Sequence, residues 1–168
     1  AVTATDRSGA TATTSFDFTV NDTPVQAVDD SLTTGENTPV SADADNGVLA
    51  NDRDVDGTPL TVGQVNGQAD NVGLSVAGNN GGMFVISADG SYSFDPGTDF
   101  DALAPGQTAS TSVTYQPVGG DTPATLSVTL TGANDVPTTT GIAPITANVN
   151  TPVQVSLADA FNDIDNGD

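Results

Sequence analysis

The sequence contains no cysteine, no histidine and no tryptophan, and its only two basic side chains are Arg7 and Arg53. Without Cys and His, neither a disulfide framework nor a Cys/His zinc site can form. The lack of His, Cys and Lys also removes the bases and nucleophiles of Ser/Thr triads and of Schiff-base chemistry. A carboxylate pair could still cleave glycosides, but nothing distinguishes such a pair among the acids. We therefore predict that the chain is not an enzyme.

Basic residues are so few that the formal net charge is −20, from 22 acids in 168 residues. This charge disfavours the phosphate contacts of nucleic-acid binding and predicts repulsion from anionic lipid surfaces. The sequence has no run of 18 apolar residues, so we expect no membrane-spanning helix. The first residues lack the basic and apolar regions of a signal peptide, so we interpret the chain as a piece of a longer protein.

Almost all of the acids are aspartates, and Glu36 is the single glutamate. Disorder or a solubilising surface would each account for a high charge. Recurring strand-like runs argue against disorder, and solvating acids would include Glu about as often as Asp. Short Asp side chains in Gly- and Asn-rich loops favour metal ligation, because they hold oxygens close to a turning backbone.

The hydrophobic pattern is typical of strands. Thr, Val and Ser alternate in short runs, and turn residues separate these runs by roughly 8–12 residues, which predicts an all-β sandwich. The clearest element is a hairpin in which residues 83–87 and 91–94 flank a turn at Asp89-Gly90. We expect Phe84, Ile86, Tyr92 and Phe94 to face one core. The other predicted strands span residues 1–5, 13–20, 27–33, 39–42, 47–50, 60–65, 74–77, 110–116, 124–131, 144–149 and 153–157.

The stretch Asp52-Arg53-Asp54-Val55-Asp56-Gly57 is the most informative one. Its alternate carboxylates, closed by a glycine, form a set of hard oxygens of the kind that Ca²⁺ prefers. It also matches the first half of an EF-hand loop, but the closing glutamate would fall at Gly63 and helical flanks are absent. A solvated turn without metal is the other interpretation. Further acidic clusters stand at 21–22, 29–30, 134–135 and 162–168, where strand-like segments end.

The chain repeats itself loosely, which predicts three parts. The order of strand, turn, strand and Asn-Asp junction in residues 3–24 recurs in residues 118–137. We predict C-terminal strands of one domain at 1–22, a complete domain at 23–137, and N-terminal strands of a following domain at 138–168. Pro24 and Pro137 would stiffen the links between them.

The motifs of the central part resemble the bacterial cadherin-like and VCBS-type tandem repeats of large RTX-type surface adhesins. They are AVDDS at 27–31, ENTPV at 36–40, GVLANDRDVDG at 47–57, FDAL at 100–103 and GANDVP at 132–137. The two flanks resemble parts of dystroglycan-type cadherin-like domains. The resemblance implies a seven-stranded Ig/cadherin-like Greek-key β-sandwich, with Ca²⁺ between consecutive domains. It also implies tandem arrays on extracellular or cell-surface adhesins that support biofilm formation and are commonly exported by type I secretion.

The resemblance further implies which residues would hold Ca²⁺. What we call the first joint comprises Asn21, Asp22, Asp54, Asp56 and Asp121. The second joint comprises Glu36, Asp101, Asn134, Asp135, Asp163 and Asp165. Asp6 would serve a joint before the first part. The linkers lack the full Asp-x-Asn-Asp-Asn of animal cadherins.

Two function classes remain open. One is a calcium-rigidified structural extender, whose partners are adjacent repeats of the same polypeptide, with no nucleic acid and no direct membrane contact. The alternative is a carbohydrate- or protein-binding β-sandwich module of a secreted protein. Sugar-binding modules usually expose stacking aromatics, so exposure of Tyr92 and Tyr115 would discriminate. Unpaired strand edges in the two flanks, with apolar residues such as Phe16, Phe18 and Val20, predict a monomer in dilute solution that forms weak head-to-tail contacts.

Overall fold

The computed structural model describes residues 1–17, 19, 22–157 and 160–165. Within these ranges the chain forms strands and two short 3-10 helices, Ala44–Asn46 and Ala69–Asn71, but no α-helix and no helix suited to crossing a membrane. The strands are β1 (Val2–Thr5), β2 (Thr11–Thr14), β3 (Asp30–Gly35), β4 (Val40–Ala42), β5 (Val62–Val65), β6 (Ser75–Ala77), β7 (Met83–Ile86), β8 (Tyr92–Asp95), β9 (Thr108–Pro117), β10 (Ala124–Thr131), β11 (Thr138–Thr139) and β12 (Phe161–Asn162).

Eight of these strands form a β-sandwich in the central part of the chain. One sheet has the order β3-β10-β9-β5 and the other has the order β4-β8-β7-β6. All pairs are antiparallel except β3 with β10, which run parallel from Asp30 beside Leu126 to Gly35 beside Thr131. The expected all-β sandwich is therefore confirmed, although the described sheets contain eight strands where the resemblance implied seven.

The core lies between the two sheets because β-branched and apolar residues alternate with Thr and Ser along the strands. In β10, Ala124, Leu126, Val128 and Leu130 are buried, and the residues between them are partly exposed. Such alternation is typical of a strand with one face toward a core. The opposite sheet contributes Phe84, Ile86 and Phe94, among others.

The predicted hairpin is confirmed as β7 and β8, with Phe84 opposite Phe94 in the register and their ring centroids 4.6 Å apart. Its turn closes with the Gly90 amide donating to the Ser87 carbonyl at 3.0 Å. Gly90 has a φ of +88°, a conformation that glycine adopts without strain. Phe84, Ile86 and Phe94 are fully buried, whereas Tyr92 is half-buried against the core.

Several strand predictions were wrong. Residues 47–50 form a turn because Asp43 caps the helix Ala44–Asn46, accepting from the Asn46 amide, and the Ala50 amide then bonds back to Gly47. Residues 144–149 and 153–157 contain no strand, and Val149 is 90% exposed. An alternating run becomes a strand only when a neighbour pairs with it and covers one face.

The flanks contain two short pairings, of which the sequence predicted the strand–turn–strand at the start of the chain but not the pairing of β11 with β12. β2 spans Thr11–Thr14, whereas the prediction was 13–20, of which residues 18 and 20 lie outside the described residues. β1 pairs with β2, and β11 pairs with β12. The β11–β12 ladder brings residues 161–165 back beside the end of the sandwich, which determines the geometry of the second joint.

Candidate metal sites at the two joints

The second joint is built around Glu36, which follows β3 directly and is 0% exposed. The Glu36 amide donates to the Thr131 carbonyl at 3.0 Å, so the side chain is fixed at the end of the β3–β10 pair. One carboxylate oxygen, Oε1, accepts from the Ala133 amide at 2.7 Å. The other, Oε2, is buried without a hydrogen-bond partner. Glu36 thus holds the chain that leaves β10 and retains one free carboxylate oxygen.

Asp101 reaches the same end of the sandwich through a turn that is anchored in the core. Phe100 is buried, and the Leu103 amide donates to the Phe100 carbonyl at 3.0 Å. This turn packs against Gly132 so closely that a Cβ there would lie 2.2 Å from the Leu103 carbonyl oxygen. Only glycine permits this approach. Asp101 Oδ1 is buried and has no hydrogen-bond partner.

Three further acids come from the linker and from the segment after β12. Asp165 is 6% exposed, and its Oδ2 accepts from the Asp135 amide at 3.0 Å. The Asp165 amide in turn donates to Asp163 Oδ1 at 3.0 Å. Asn134 donates through its side-chain amide to the Asp135 carbonyl at 2.8 Å. All six predicted residues of the second joint therefore lie at one end of the sandwich or in the segments attached to it.

Four carboxylate oxygens at the second joint are buried without a hydrogen-bond partner. They are Glu36 Oε2, Asp101 Oδ1, Asp135 Oδ2 and Asp165 Oδ1. Burial raises the pKa of Asp135, and surrounding negative charges add to this shift. Those charges belong to Asp165, Asp101 and Asp163.

The arrangement suits a hard cation but does not yet form a closed shell around one. Asp101 and Asp135 line a cleft of about 320 Å³ together with Thr138 and Asn162. Among the residues that the structure describes, no three acids are already gathered at the spacing of metal ligands. Buried carboxylates that repel one another cost stability unless a cation compensates them. Carboxylate oxygens are the ligand type that Ca²⁺ prefers, and the four unpartnered ones would supply part of the 6–8 oxygen ligands that it takes.

The first joint brings together three of its acids, of which Asp22 and Asp56 are exposed and Asp54 is half-buried. The Thr23 amide donates to Asp56 Oδ2 at 2.7 Å, and the Asp56 amide donates to Asp54 Oδ1 at 2.8 Å. A hydrogen bond with Asp56, together with the charges of Asp56 and Asp54, raises the pKa of Asp22. The Thr23 amide lowers the pKa of Asp56. These carboxylates serve as turn acceptors in contact with solvent.

The remaining predicted ligands are not joined to these clusters. Asp121 is exposed, and no hydrogen bond within the described part of the chain links it to Asp54 or Asp56. Asn21 lies outside the described residues. Asp6 closes the β1–β2 turn, where its Oδ1 accepts from the Ser8 and Ala10 amides and from the Ser8 hydroxyl. The Ser8 hydroxyl and these amides lower the pKa of Asp6.

Sequence reasoning counted Asp52 among the alternate carboxylates of the 52–57 stretch and Asp30 among the acidic clusters, but it placed neither residue at a joint. The structure packs them beside the buried hydroxyl of Tyr115, and Asp52 Oδ2 has no hydrogen-bond partner. Burial raises the pKa of Asp52. The signal that could have revealed this cluster is an acid at the start of a strand combined with a tyrosine on a core-facing position.

The comparison with known families agrees with the fold. A family model described as the bacterial cadherin-like domain matches residues 21–132. No curated protein gives a significant match to the chain. Cadherin-like domains are structural and adhesion modules of surface or extracellular proteins, and are not enzymes. The matched segment contains the whole eight-stranded sandwich and two thirds of the sequence, so this chain belongs to the bacterial cadherin-like domain family.

Proposed function

We propose that this chain is a calcium-rigidified extender repeat of a bacterial cell-surface or secreted adhesin. One observation supports this most strongly: four carboxylate oxygens of the second joint, where the chain leaves the sandwich, are buried without hydrogen-bond partners. A Ca²⁺ ion there would be held by Glu36, Asp101, Asp135 and Asp165, with Asp163 and Asn134 beside them. The ion would supply the positive charge that a chain with only two arginines lacks.

The expected mechanical effect follows from the origin of these acids. Glu36 and Asp101 belong to the rigid sandwich, Asp135 to the linker, and Asp163 and Asp165 to the segment beyond β12. Without a cation these carboxylates repel one another, which favours a loose joint. With a cation they share one partner, so the linker and the next segment become fixed to the sandwich. A series of such joints would extend an adhesin away from the cell, in support of adhesion and biofilm formation.

The wider context of this proposal rests on the family resemblance. Bacterial cadherin-like repeats stand in tandem, so the partners of this chain would be adjacent repeats of the same polypeptide. Type I secretion is the export route that the resemblance favours. The exposed apolar side chains of residues 142–157, such as Ile142, Ile145 and Val149, are of the kind that a neighbouring repeat would cover.

The alternative of a sugar-binding module has less support. Tyr115 is fully buried and Tyr92 is half-buried against the core, so neither tyrosine presents an exposed stacking face. The chain has no tryptophan to replace them. Stacking on exposed aromatic rings is the usual basis of sugar recognition by such modules.

Thermal unfolding in Ca²⁺ and in chelator tests the proposal. Extracellular modules bind Ca²⁺ at about 10⁻⁴–10⁻³ M, so about 10 mM Ca²⁺ should stabilise each occupied site by about 1.4–2.7 kcal/mol. Small-angle scattering should show a narrower range of shapes with Ca²⁺ than with chelator. Mg²⁺ serves as the matched control, because it demands octahedral geometry and dehydrates reluctantly. Melting curves that coincide with and without Ca²⁺ would refute the proposal.

A further inference from the structure

A cleft of about 370 Å³ lies beside the turn formed by residues 99–103, and no residue assigned to either joint lines it. One part of its lining is apolar, and the other part carries polar side chains. The residues that matter below are Phe100, Ala102 and Leu103 in the apolar part, and Asn80, Asp99 and Ser110 in the polar part. A concave surface of this size, with an apolar wall and a few convergent polar groups, is the usual form of a ligand-binding site.

Hydrogen bonds between separate segments hold the polar part of the cleft in place. Asp99 Oδ2 accepts from the Gly82 amide at 2.7 Å, which fixes the 99–103 turn to the loop between β6 and β7. Asn80 of that loop donates through its side-chain amide to the Ser110 carbonyl at 2.8 Å, which fixes the loop to β9. The cleft is therefore preorganised, so that little conformational entropy is lost when a ligand binds.

The polar atoms that stay free in the cleft are mainly acceptors. No hydrogen bond within the described part of the chain uses Asp99 Oδ1 or the side-chain oxygen of Asn80. The Ser110 hydroxyl, which can donate or accept, is the third polar group. Neither Arg7 nor Arg53 is among the described residues that line the cleft, so the Asp99 carboxylate has no cationic neighbour there. The chemical complement is a ligand with N–H donors and a positive charge.

We propose that this cleft binds an arginine side chain of a partner protein. The aliphatic stem of the arginine would lie against Ala102 and Leu103, and the guanidinium would donate to Asp99 Oδ1 and to the Asn80 oxygen. Arginine fits better than lysine because its planar fork reaches two acceptors at once and is more weakly hydrated than an ammonium group. This role goes beyond the extender function and does not depend on calcium.

The net charge of the chain favours a basic partner over a second copy of itself. With 22 acids and two arginines, the chain attracts basic segments from a distance and repels its own kind. Long-range attraction does not select a site, however, so the position of the arginine must come from the cleft. The apolar wall and the two fixed acceptors supply that selection.

Backbone-amide NMR of the full chain tests this, with a short capped peptide that carries one arginine among glycines and serines as the probe. The titration is run in Ca²⁺ and in chelator, which separates binding at the cleft from binding at the acids of the joints. We expect saturable shift changes at Gly82, Leu103 and Ser110 in both buffers. A peptide with citrulline, which keeps the shape of arginine without its charge, should bind at least about fivefold more weakly. Equal binding of the two peptides, or shift changes at the joints alone, would overturn the proposal.

Asp99→Asn removes the charge from the cleft while its side-chain oxygen can still accept from the Gly82 amide. We expect the arginine peptide to bind about five- to tenfold more weakly to D99N, with an unchanged melting temperature. Asp95→Asn is the matched control, because Asp95 is exposed, accepts from the Gly97 amide at 2.9 Å and does not line the cleft. Equal losses of affinity in D99N and D95N would mean that the peptide responds only to net charge, and the proposal would be wrong.

Ala102→Leu fills part of the cleft and leaves the Asp99 carboxylate in place. It should weaken binding of the arginine peptide, and unchanged binding would place the arginine outside the cleft and overturn the proposal. Concentrating the chain without peptide tests a second copy as the source of the arginine. Shift changes in the cleft that appear on concentration and disappear in R7Q or R53Q would assign the cleft to a second copy and overturn its assignment to a partner protein.

Discussion

The two joints of this chain use the same residue types in opposite environments. At the first joint, Asp22 and Asp56 are exposed and Asp54 is half-buried, and backbone amides donate to Asp54 and Asp56. At the second joint, Glu36 and Asp165 are 0% and 6% exposed, and each keeps a carboxylate oxygen without a partner. Clusters of aspartate in turns therefore do not by themselves indicate how strongly a site needs a cation.

The two joints should respond differently to a cation because their carboxylates differ in burial. An exposed carboxylate pair is screened by water and salt, so the repulsion costs little and an ion adds little. A buried set without compensating charge is costly, and a bound cation removes that cost together with the repulsion. We therefore expect the second joint to dominate the calcium response of the chain. The following variants test this ranking, beginning with the largest effect.

Gly132→Ala should reduce the stability of the fold more than any of the variants that follow, although it alters no carboxylate. Its Cβ would meet the Leu103 and Ala104 carbonyl oxygens at 2.2 and 2.4 Å, and backbone atoms there cannot give way cheaply. We expect overpacking to cost about 1–3 kcal/mol of unfolding free energy and to displace the turn that carries Asp101. Calcium titration calorimetry should show a weakened site.

Gly120→Ala is the matched control at the first joint. There the nearest atom to the new Cβ is the Pro117 carbonyl oxygen, at 3.2 Å, so a small shift suffices. Equal losses of stability in the two alanine variants would show that the close packing of Gly132 does not distinguish the second joint.

Glu36→Gln should abolish most of the calcium response while leaving the fold in place. The glutamine oxygen can still accept from the Ala133 amide, but the buried negative charge is gone. In calcium-free buffer the variant should be at least as stable as the wild type, because one source of repulsion has been removed. Removal of groups that only orient ligands weakens metal binding about 10–100-fold, so loss of a direct ligand should raise the Kd for Ca²⁺ at least tenfold.

Asp121→Asn is the charge-matched control for E36Q, because Asp121 is an exposed member of the first joint. Its calcium affinity should stay within experimental error of the wild type. An unchanged Kd in E36Q, or a Kd raised equally in both variants, would contradict a specific site at Glu36.

Local features were predictable from the sequence, whereas the ranking of the two joints by their expected calcium response was not. The Asp89-Gly90 turn fixes its own hairpin, because the glycine conformation and the flanking alternation act over a few residues. The acids of both joints were also predicted as candidates. The burial of Glu36 and Asp165 at the second joint arises from tertiary packing between distant segments of the chain, of which the close approach of Gly132 to the 103–104 backbone is an example. The Tyr115 cluster has the same origin in tertiary contacts, so residue types and spacing alone could not reveal it.

The double variant Asp54→Asn/Asp56→Asn should have the smallest effect. Asparagine oxygens can still accept from the Asp56 and Thr23 backbone amides, so the turn and the central fold should persist. Removal of two negative charges beside Asp22 should slightly favour the fold in calcium-free buffer and slightly weaken calcium binding. We expect a Kd change well below tenfold, since exposed charges are screened. Calorimetry in Ca²⁺ measures the Kd and the number of bound ions, and small-angle scattering measures the maximum dimension.

A loss of one bound ion with a larger maximum dimension would make the first joint a true calcium site, and the two joints would then be equivalent despite their different burial. Unchanged stoichiometry and unchanged dimension would identify Asp54 and Asp56 as turn residues, and the calcium response would belong to the buried acids around Glu36.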